Sequence, residues 1–356
     1  MADHGINRRE FIRNTAVAAG AVALGGNFIA QAADTAAIKK TRSYNPDMVY
    51  RRLGATGLWV SGVCLGGHWK RVAEVTGKKI PPYGPPKDGE LKKILVKNRS
   101  DVLSRCIEKG INYVDACTMG EISVYGPALK GRRDKMYMGF AMWPHCPRNK
   151  KYRTAKAILA KLEEGLKTAE VEYVDIWRLV AGKHTEADEL EFIKAFEIAK
   201  KQGKARFTGV SSHDRKWLKR LSETYPKHFQ VALFPYTANT KEMPKDSLFA
   251  AIRKHDIGTF GIKPFGSNSL FRGAKTPEEK AKRARLTIRY ILSNPALTAP
   301  IPGLACVEEV DNMALAMKEM KKELTAAESA EIKKLGAETM ASLPPEYQWL
   351  KNWEYV

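Results

Sequence analysis

The sequence predicts a (β/α)8 TIM barrel with parallel strands, and three observations carry this prediction. Apolar, strand-like runs alternate with helical patterns eight times along the chain, which favours a parallel sheet that closes on itself. The GxGxxG turn that follows the first strand of a dinucleotide-binding open sheet is missing. The chain has 356 residues, of which 44% are hydrophobic, so it is long enough to bury the core of one such domain.

The predicted barrel opens with a hairpin-like stretch between Tyr50 and Val60, which has Gly54 and Gly57 at its turns. The run VSGVCLGG, residues 60–67, follows as the first buried strand. Seven further apolar runs predict strands over residues 111–117, 136–142, 173–180, 205–211, 231–236, 257–264 and 298–303. Helical patterns are predicted over residues 99–109, 121–130, 154–168, 187–202, 214–225, 245–254, 280–293 and 306–320.

The chain divides into four predicted parts: an export signal at residues 1–32, a linker at 33–47, the barrel at 48–340 and an aromatic tail at 341–356. The tail carries several aromatic side chains, which are expected either to line a substrate pocket or to seal the side of the barrel.

The amino-terminal segment resembles a twin-arginine export signal. Arg8 and Arg9 precede Phe11 and a mildly apolar run, and Ala30-Gln31-Ala32 supplies small residues for cleavage. The run is too short and too rich in Gly and Ala for a stable membrane span, and no second spanning stretch follows. The protein is therefore predicted to be periplasmic, or otherwise exported, with the twin-arginine machinery as a partner. An uncleaved anchor is the alternative.

The composition excludes several classes of protein. Five cysteines without CxxC or Cys/His ribbon spacing argue against a zinc finger, an iron–sulfur cluster or attached haem. The net charge of +21 permits contact with nucleic acid or another anionic polymer, but no nucleic-acid motif is present. We therefore predict a solvated basic surface and no nucleic-acid partner. The oligomeric state stays open.

Five segments between residues 48 and 320 resemble the aldo/keto reductase family, in consistent order. They are YRRLGATGLWVSGVCLGG, GINYVDACTMG, KARFTGVSS, IGTFGIKPFGS and RLTIRYILSNPALTAPIPGL. The resemblance implies the same barrel and a nicotinamide-dependent oxidoreductase. It also implies four reactive residues, in which a tyrosine acts as the general acid, a lysine and an aspartate assist it, and a histidine orients the substrate.

Only one of those four residues is retained, namely Asp115 at the end of the strand INYVD. The alternative interpretation is that Asp115 only caps the following turn. Groups that cannot transfer a proton occupy the other positions, namely Met119 and Gly120 for the tyrosine, Ala141 for the lysine and Val180 for the histidine. Tyr125 falls inside the next helix and is expected to pack there. The usual reductase mechanism does not follow from this sequence.

Three replacements are considered. Arg178 lies two residues before Val180 and should face the barrel interior, where it needs a counter-charge; we predict a pair with Asp115. The alternative is an Arg178 that faces the outer helices. His68, in the long loop 68–90, and His145 are the candidates for proton transfer. As a further alternative, side chains that follow strand ends are candidate ligands of a metal ion. They are the histidines His68, His145, His184 and His213, the thiol of Cys117 and the carboxylate of Glu121.

The resemblance also implies a cofactor site. Its residues are Ser211 and Ser212 for the nicotinamide amide, the loop Lys263-Pro264-Phe265-Gly266-Ser267 for the pyrophosphate, and Gly303, Leu304, Asp311 and Asn312 toward the adenine end. Glu308 and Glu309 stand where an arginine usually binds the 2′-phosphate of NADP. NAD or NADP is therefore expected, with NAD preferred. Because free nicotinamide cofactor is not expected outside the cytoplasm, an exported enzyme of this kind must hold its cofactor tightly or not use one.

The leading prediction is an exported oxidoreductase that acts on a small carbonyl or hydroxyl compound, with sugar-like molecules included, through a non-standard active site. Two alternatives remain: a non-catalytic barrel that binds a ligand or partner, and a metal-dependent lyase or hydrolase on the same scaffold.

Overall fold

A computed structural model describes residues 28–66 and 69–353, with side chains described from residue 34 onward except at 69 and 70. The arginine pair of the predicted signal and His68 lie outside the described residues. Helix α1 (Phe28–Lys39) crosses the predicted signal boundary at residue 32. Within the described residues, no helix is long and apolar enough to cross a membrane.

A parallel sheet of seven strands forms most of the barrel, in sequence order. A separate antiparallel hairpin consists of β1 (Tyr50–Arg52) and β2 (Trp59–Ser61). The barrel strands are β3 (Tyr113–Thr118), β4 (Tyr137–Trp143), β5 (Val174–Val180), β6 (Ala205–Ser211), β7 (Val231–Pro235), β8 (Gly258–Ile262) and β9 (Ala299–Ile301).

The segment between β2 and the first loop closes the barrel, because Leu65 bridges Val114 of β3 and Gly66 bridges Gly303 beyond β9. Leu65 N–H donates to Tyr113 O at 2.9 Å, and Gly66 N–H donates to Pro302 O at 2.9 Å. The predicted first strand, 60–67, is therefore split: its start belongs to the hairpin, and its end is a short bridge. A Cβ on Gly66 would lie 2.5 Å from Pro302 O, so this close approach requires glycine.

Helices cover the outside of the sheet, as the alternation predicted. They are α2 (Trp69–Thr76), α3 (Gly89–Lys109), α4 (Met119–Ala128), α5 (Ala155–Ala169), α6 (Glu186–Lys201), α7 (Arg215–Thr224), α8 (Leu248–His255), α9 (Pro277–Leu292), α10 (Val307–Glu319) and α11 (Ala326–Ala341). Short 3-10 turns lie at Gly54–Thr56, Arg133–Lys135, Lys150–Tyr152 and Ser269–Phe271, and a longer one at Pro345–Trp353. Most helices begin at a Ser, Thr or Asp cap, which satisfies a free N–H group of the first turn.

Inward-facing side chains at alternate strand positions fill the barrel. The hairpin closes the lower end of this interior, which contains Leu53, Leu58, Val60, Cys64, Tyr113, Tyr137, Ile176, Val231, Leu233, Phe260, Ala299 and Ile301. Asp175 is fully buried at the lower end of β5 and pairs with Arg42, Arg133 and Arg206. The predicted linker therefore contributes an ion pair to the barrel through Arg42.

The carboxyl-terminal segment packs on the barrel. The Trp353 ring stacks on Phe234, with 6.1 Å between centroids, and its indole N–H donates to His213 O at 2.9 Å. Trp349 stacks on the His213 ring at 4.0 Å. The tail thus covers the end of the barrel where β6 and β7 terminate.

Candidate functional site

A buried ion pair joins strands β3 and β5 at the upper end of the barrel. Arg178 Nη2 donates to Asp115 Oδ2 at 2.6 Å, and the two side chains are only 2% and 8% exposed. Tyr113 Oη donates to Asp115 Oδ1 at 3.2 Å, so both carboxylate oxygens have donors. The predicted pair is present. Arg178 therefore faces the interior and not the outer helices.

Glycines make room for this pair. In the sheet register Gly139 is the β4 neighbour of Asp115, and Gly209 is the β6 neighbour of Arg178. A Cβ on Gly139 would lie 1.9 Å from Tyr113 Oη and 3.3 Å from Asp115 Oδ1. The interior can hold a tyrosine, an aspartate and an arginine together because the neighbouring strand has no side chain there.

A cavity of about 220 Å³ opens above the pair, at the carboxyl ends of the strands, and we call it the mouth cavity. Polar groups from several strand ends and from the tail line it together with apolar side chains. They include Asp115, Cys117, Glu121, Arg178, Ser211, Lys263, Ser267, Asn268 and Tyr347. Arg178 keeps two buried nitrogens, Nε and Nη1, that have no hydrogen-bond partner among the described residues. Such a guanidinium is suited to a ligand oxygen.

Helix α4 starts directly after β3, and this start removes the place of the family tyrosine. Thr118 and Glu121 form a capping box: Glu121 Oε2 accepts from Cys117 N at 2.7 Å and from Thr118 N at 2.9 Å. Gly120 N–H donates to Tyr83 O at 2.8 Å, and a Cβ there would lie 2.7 Å from Gly84 O. Tyr125 is buried inside this helix, as expected.

Burial changes the acidity of several groups around the mouth cavity. Burial raises the pKa of Asp115, and Arg178 and the Tyr113 hydroxyl oppose that rise. Burial raises the pKa of Glu121 to about 7 and that of Cys117 to about 12. Burial lowers the pKa of Lys263 to about 8. Two groups that titrate near neutral pH thus lie in one cavity with the retained aspartate.

A second cavity of about 390 Å³, which we call the side groove, adjoins the mouth cavity, since Phe265 and Gly303 line both. Segments that follow β8 and β9 form its walls, with Arg71 from α2 across from them. The groove is lined by Arg71, Phe265, Phe271, Pro277, Glu278, Lys280, Ala281, Ala284, Gly303, Leu304, Glu308, Glu309, Asn312 and Met313.

Most residues predicted to bind the cofactor lie along these two cavities. Ser211, Lys263, Pro264, Phe265 and Ser267 line the mouth cavity, while Gly303, Leu304 and Asn312 line the side groove. Asn312 is already engaged, because its Oδ1 accepts from Arg285 at 2.7 Å and its amide donates to Ala281 O at 3.0 Å.

The structure places three of the predicted cofactor residues outside the lining of both cavities. Ser212 follows the last residue of β6, is fully buried away from the mouth cavity, and accepts a bond from Asp214 N at 3.1 Å. A Cβ on Gly266 would meet Thr339 of α11 at 2.5 Å, so Gly266 faces that helix. Asp311 lies outside the groove near Arg105, at 3.6 Å.

His145, predicted as a candidate for proton transfer, also lies outside the lining of the mouth cavity. His145 lies beyond the end of β4 and packs its ring edge against Tyr152, with 5.6 Å between centroids. It borders a separate void of only about 10 Å³ behind β5, not the mouth cavity. His68 lies outside the described residues and stays a prediction.

The predicted histidines that the structure describes, His145, His184 and His213, do not converge on a metal site. His184 Nδ1 lies 3.3 Å from Asp188 on helix α6, and His213 stacks on Trp349. Burial, helped by Lys263 and Arg148, lowers the pKa of His213 to about 3, so this ring is neutral at neutral pH. In the part of the chain that the structure describes, no three His, Cys, Asp or Glu side chains are grouped so that they could hold a metal ion.

The sequence interpretation misses two contributors to the site, Tyr113 and Arg71, and leaves open whether the tail aromatics line a pocket. Tyr113 lies two residues before Asp115 on the same strand, so alternation could have placed it on the same inner face. Tyr347 lines the mouth cavity, although aromatic residues in a tail are equally suited to packing. Arg71 forms an ion pair with Glu309, which no local sequence pattern indicates because the partners are far apart in the chain.

The parallel (β/α)8 architecture is that of a TIM barrel, and its polar cavity lies at the carboxyl ends of the strands, where TIM-barrel enzymes carry their active sites. The family model for the aldo/keto reductase family matches residues 92–285, more than half of the chain. The chain therefore belongs to the aldo/keto reductase family.

Individual relatives agree with this assignment. Uncharacterized oxidoreductase YqkF from Bacillus subtilis (strain 168) is 24% identical over 258 residues, covering 60% of this chain and 80% of the relative. The holo form of aldo-keto reductase AKR11C1 from Bacillus halodurans has a TM-score of 0.62 at 20% identity, covering 85% of this chain and 99% of that one. An aldo/keto reductase from Klebsiella pneumoniae in complex with NADP and acetate has a TM-score of 0.60 at 18% identity, covering 80% and 94%.

Proposed function

We propose that this protein is an NAD(P)-dependent oxidoreductase that acts on a small carbonyl or hydroxyl compound, with sugar-like molecules as the first class to test. The observation that carries the proposal is that the mouth cavity and the side groove are adjacent, since Phe265 and Gly303 line both. A dinucleotide that spans the two would place its nicotinamide beside Asp115. The Klebsiella relative was solved with NADP, which supports a nicotinamide dinucleotide here.

The residues present fit such a cofactor and its substrate. The cofactor would supply or accept the hydride. Ser211 and the loop from Lys263 to Ser267 would hold the nicotinamide half, and Phe265 would lie between the two halves. Arg178, with two buried nitrogens unpaired among the described residues, would bind the substrate oxygen, while Asp115 holds the guanidinium in place.

The structure weakens the argument from Glu308 and Glu309 that NAD is preferred over NADP. Glu309 forms an ion pair with Arg71 and accepts from Ala305 N at 2.7 Å, so its charge is already balanced. Lys280 also lines the side groove, and its positive charge is opposite to that of Glu308. We therefore propose NAD or NADP without ranking them, and parallel titrations with NADH and NADPH decide between the two.

Filling the side groove should abolish cofactor binding. Ala281 lies on α9 and is half-buried in the groove wall, so Ala281→Trp would place an indole where the adenine half is expected. We expect the affinity for NADPH and NADH, measured by quenching of tryptophan fluorescence or by calorimetry, to fall at least about tenfold. The indole would block the region that contacts the adenine half, and a tenfold loss corresponds to about 1.4 kcal/mol of binding free energy.

Ala327→Trp provides the matched control, because Ala327 is exposed on α11 and does not line the groove. Equal binding by wild type and both variants would contradict the proposed location. A wild-type protein that binds neither nucleotide, and releases none on denaturation, would favour the non-catalytic barrel instead.

We propose, in addition, that the chain is exported in folded form by the twin-arginine machinery. The support is the Arg8-Arg9 pair followed by Phe11 and a run rich in Ala and Gly. Replacement of Arg8 and Arg9 by Lys should keep the protein in the cytoplasm, because receptors of this route read the paired guanidinium groups. Cell fractionation measures the outcome, with Arg13→Lys as the control. Unchanged export of the double variant would exclude this route.

A further inference from the structure

The mouth cavity has no tyrosine at the family position, so its proton donor must come from elsewhere in the chain. Asp115 is occupied, since Tyr113 and Arg178 donate to its two oxygens. Burial raises the pKa of Glu121 to about 7, but its Oε2 accepts the N–H groups of Cys117 and Thr118, which holds this carboxyl group in the capping box at the start of α4. The Cys117 thiol lies in the cavity, but burial raises its pKa to about 12, which makes it a poor acid.

Lys263 has the geometry that the remaining role requires. It follows the last residue of β8 and lines the mouth cavity, with a left-handed backbone at φ 60°. A left-handed conformation is costly for a residue with a side chain and often marks a functional position. Its ammonium lies 5.5 Å from the centroid of the Trp349 ring, and it forms no ion pair with any carboxylate of the described residues.

We propose that Lys263 is the proton donor of this enzyme, in place of the missing tyrosine. The assignment rests on the proposed oxidoreductase function. In the reductive direction the carbonyl carbon receives the hydride from the reduced cofactor. The carbonyl π electrons take a proton from Lys263 Nζ, which gives the alcohol and a neutral amine. The amine then regains a proton from water. In the oxidative direction the neutral amine accepts the hydroxyl proton.

The charges around Lys263 agree with this role. Burial, opposed by Cys117 and helped by Arg148, lowers the pKa of Lys263 to about 8. At pH 7 the group is therefore mostly protonated but is a much stronger acid than an ordinary lysine. The titratable or charged groups around it are Asp115, Cys117, Glu121, Arg148, Arg178, His213 and Tyr347.

The test measures reduction of 4-nitrobenzaldehyde by NADPH and by NADH across a pH series, followed by loss of nicotinamide absorbance. For the wild type we expect kcat to be flat at low pH and to fall as the pH rises through about 8, because only the ammonium form donates a proton. Lys263→Met should lower kcat by about 10²–10⁴-fold and should lose this fall.

Lys263→Arg is the matched control for charge. It keeps a cation in the mouth cavity, so nucleotide affinity should stay near the wild-type value. Arginine does not release its proton in proteins, so kcat should remain as low as in Lys263→Met. Recovery of kcat by Arg would overturn proton donation and assign Lys263 a purely electrostatic role.

Other donors are distinguished by their own variants. The proposal would be overturned if Lys263→Met kept the fall in kcat near pH 8 while Glu121→Gln, Tyr347→Phe or His68→Ala lost it. A histidine donor would also shift the fall toward its usual pKa of about 6.5.

A second measurement does not depend on turnover. Competitive acetylation with acetic anhydride, read by peptide mass spectrometry, gives the titration of Lys263 directly. We expect half-modification near pH 8 and protection by bound NADPH. Titration near the ordinary lysine value of about 10.4 would overturn the proposal. If the wild type binds no nucleotide, the proposed function fails; if it binds nucleotide but Lys263→Met works normally, only this inference fails.

Discussion

Arg178→Met is expected to destabilise the protein by about 3–5 kcal/mol at neutral pH, because it leaves the Asp115 carboxylate buried without its counter-charge. Both side chains are nearly inaccessible, and the pair distance is 2.6 Å. Urea unfolding followed by circular dichroism measures the loss. Arg253→Met is the matched control: Arg253 pairs with Glu242 at the surface, where an ion pair contributes only about 0–1 kcal/mol.

The deficit of Arg178→Met should shrink as the pH falls. Burial already raises the pKa of Asp115 in the folded wild type, and removal of Arg178 raises it further. A carboxyl group whose folded pKa is raised favours the folded state below its unfolded pKa, and this contribution is lost as the pH rises through the folded pKa. Acid therefore protonates Asp115 and removes the unpaired charge. A deficit that is independent of pH would mean that packing, not charge, dominates the effect.

Gly139→Ala is expected to destabilise the protein by about 1–3 kcal/mol, because the new methyl group would overlap the Tyr113 hydroxyl. The added Cβ would lie 1.9 Å from Tyr113 Oη and 2.8 Å from Cζ. Tyr113 cannot move aside easily, since it is fully buried and stacks on Phe260 with 4.5 Å between centroids. Thermal unfolding measures the loss, and nucleotide binding shows whether the displaced Tyr113 disturbs Asp115.

Two variants separate the causes. Gly182→Ala should change stability by no more than about 0.5 kcal/mol, because nothing lies within 4 Å of its added Cβ. Gly139→Ala in a Tyr113→Phe background should cost less than in the wild type, since the overlapping oxygen is gone. Equal costs in both backgrounds would contradict the steric explanation.

The fold could be predicted from the sequence because alternation of strands and helices is a local pattern repeated eight times. The first strand is the exception. Residues 60–67 read as one apolar run, yet the hairpin and the bridge at Leu65 and Gly66 divide it, and this division depends on hydrogen bonds to β3 and to the segment after β9. No local pattern encodes such distant partners.

Site residues could be predicted from the sequence where the geometry of a strand or helix fixes the direction in which the side chain points. Alternation places Arg178 inward, and the cost of a buried charge then identifies Asp115 as its partner. The same rules explain why two predicted residues lie away from the cavities. Ser212 is one residue beyond Ser211, on the opposite side of the strand. Asp311 is about 100° around helix α10 from Asn312, because an α-helix has about 3.6 residues per turn.

Lys263 illustrates what sequence order alone does not reveal. The loop after β8 matches a pyrophosphate-binding segment by its letters, which assigns Lys263 to that role. Its lowered pKa depends on burial, and one of its neighbours is the Trp349 ring of the carboxyl-terminal segment, which is remote in sequence.

The immediate start of helix α4 after β3 limits how the family's tyrosine could be installed in this protein. A tyrosine at position 119 or 120 would lie within the first turn of the helix, and position 120 is covered by the backbone of Gly84, whose oxygen would lie 2.7 Å from an added Cβ. An engineered tyrosine acid at this place would thus demand an insertion and a rearranged neighbouring loop, not one codon change.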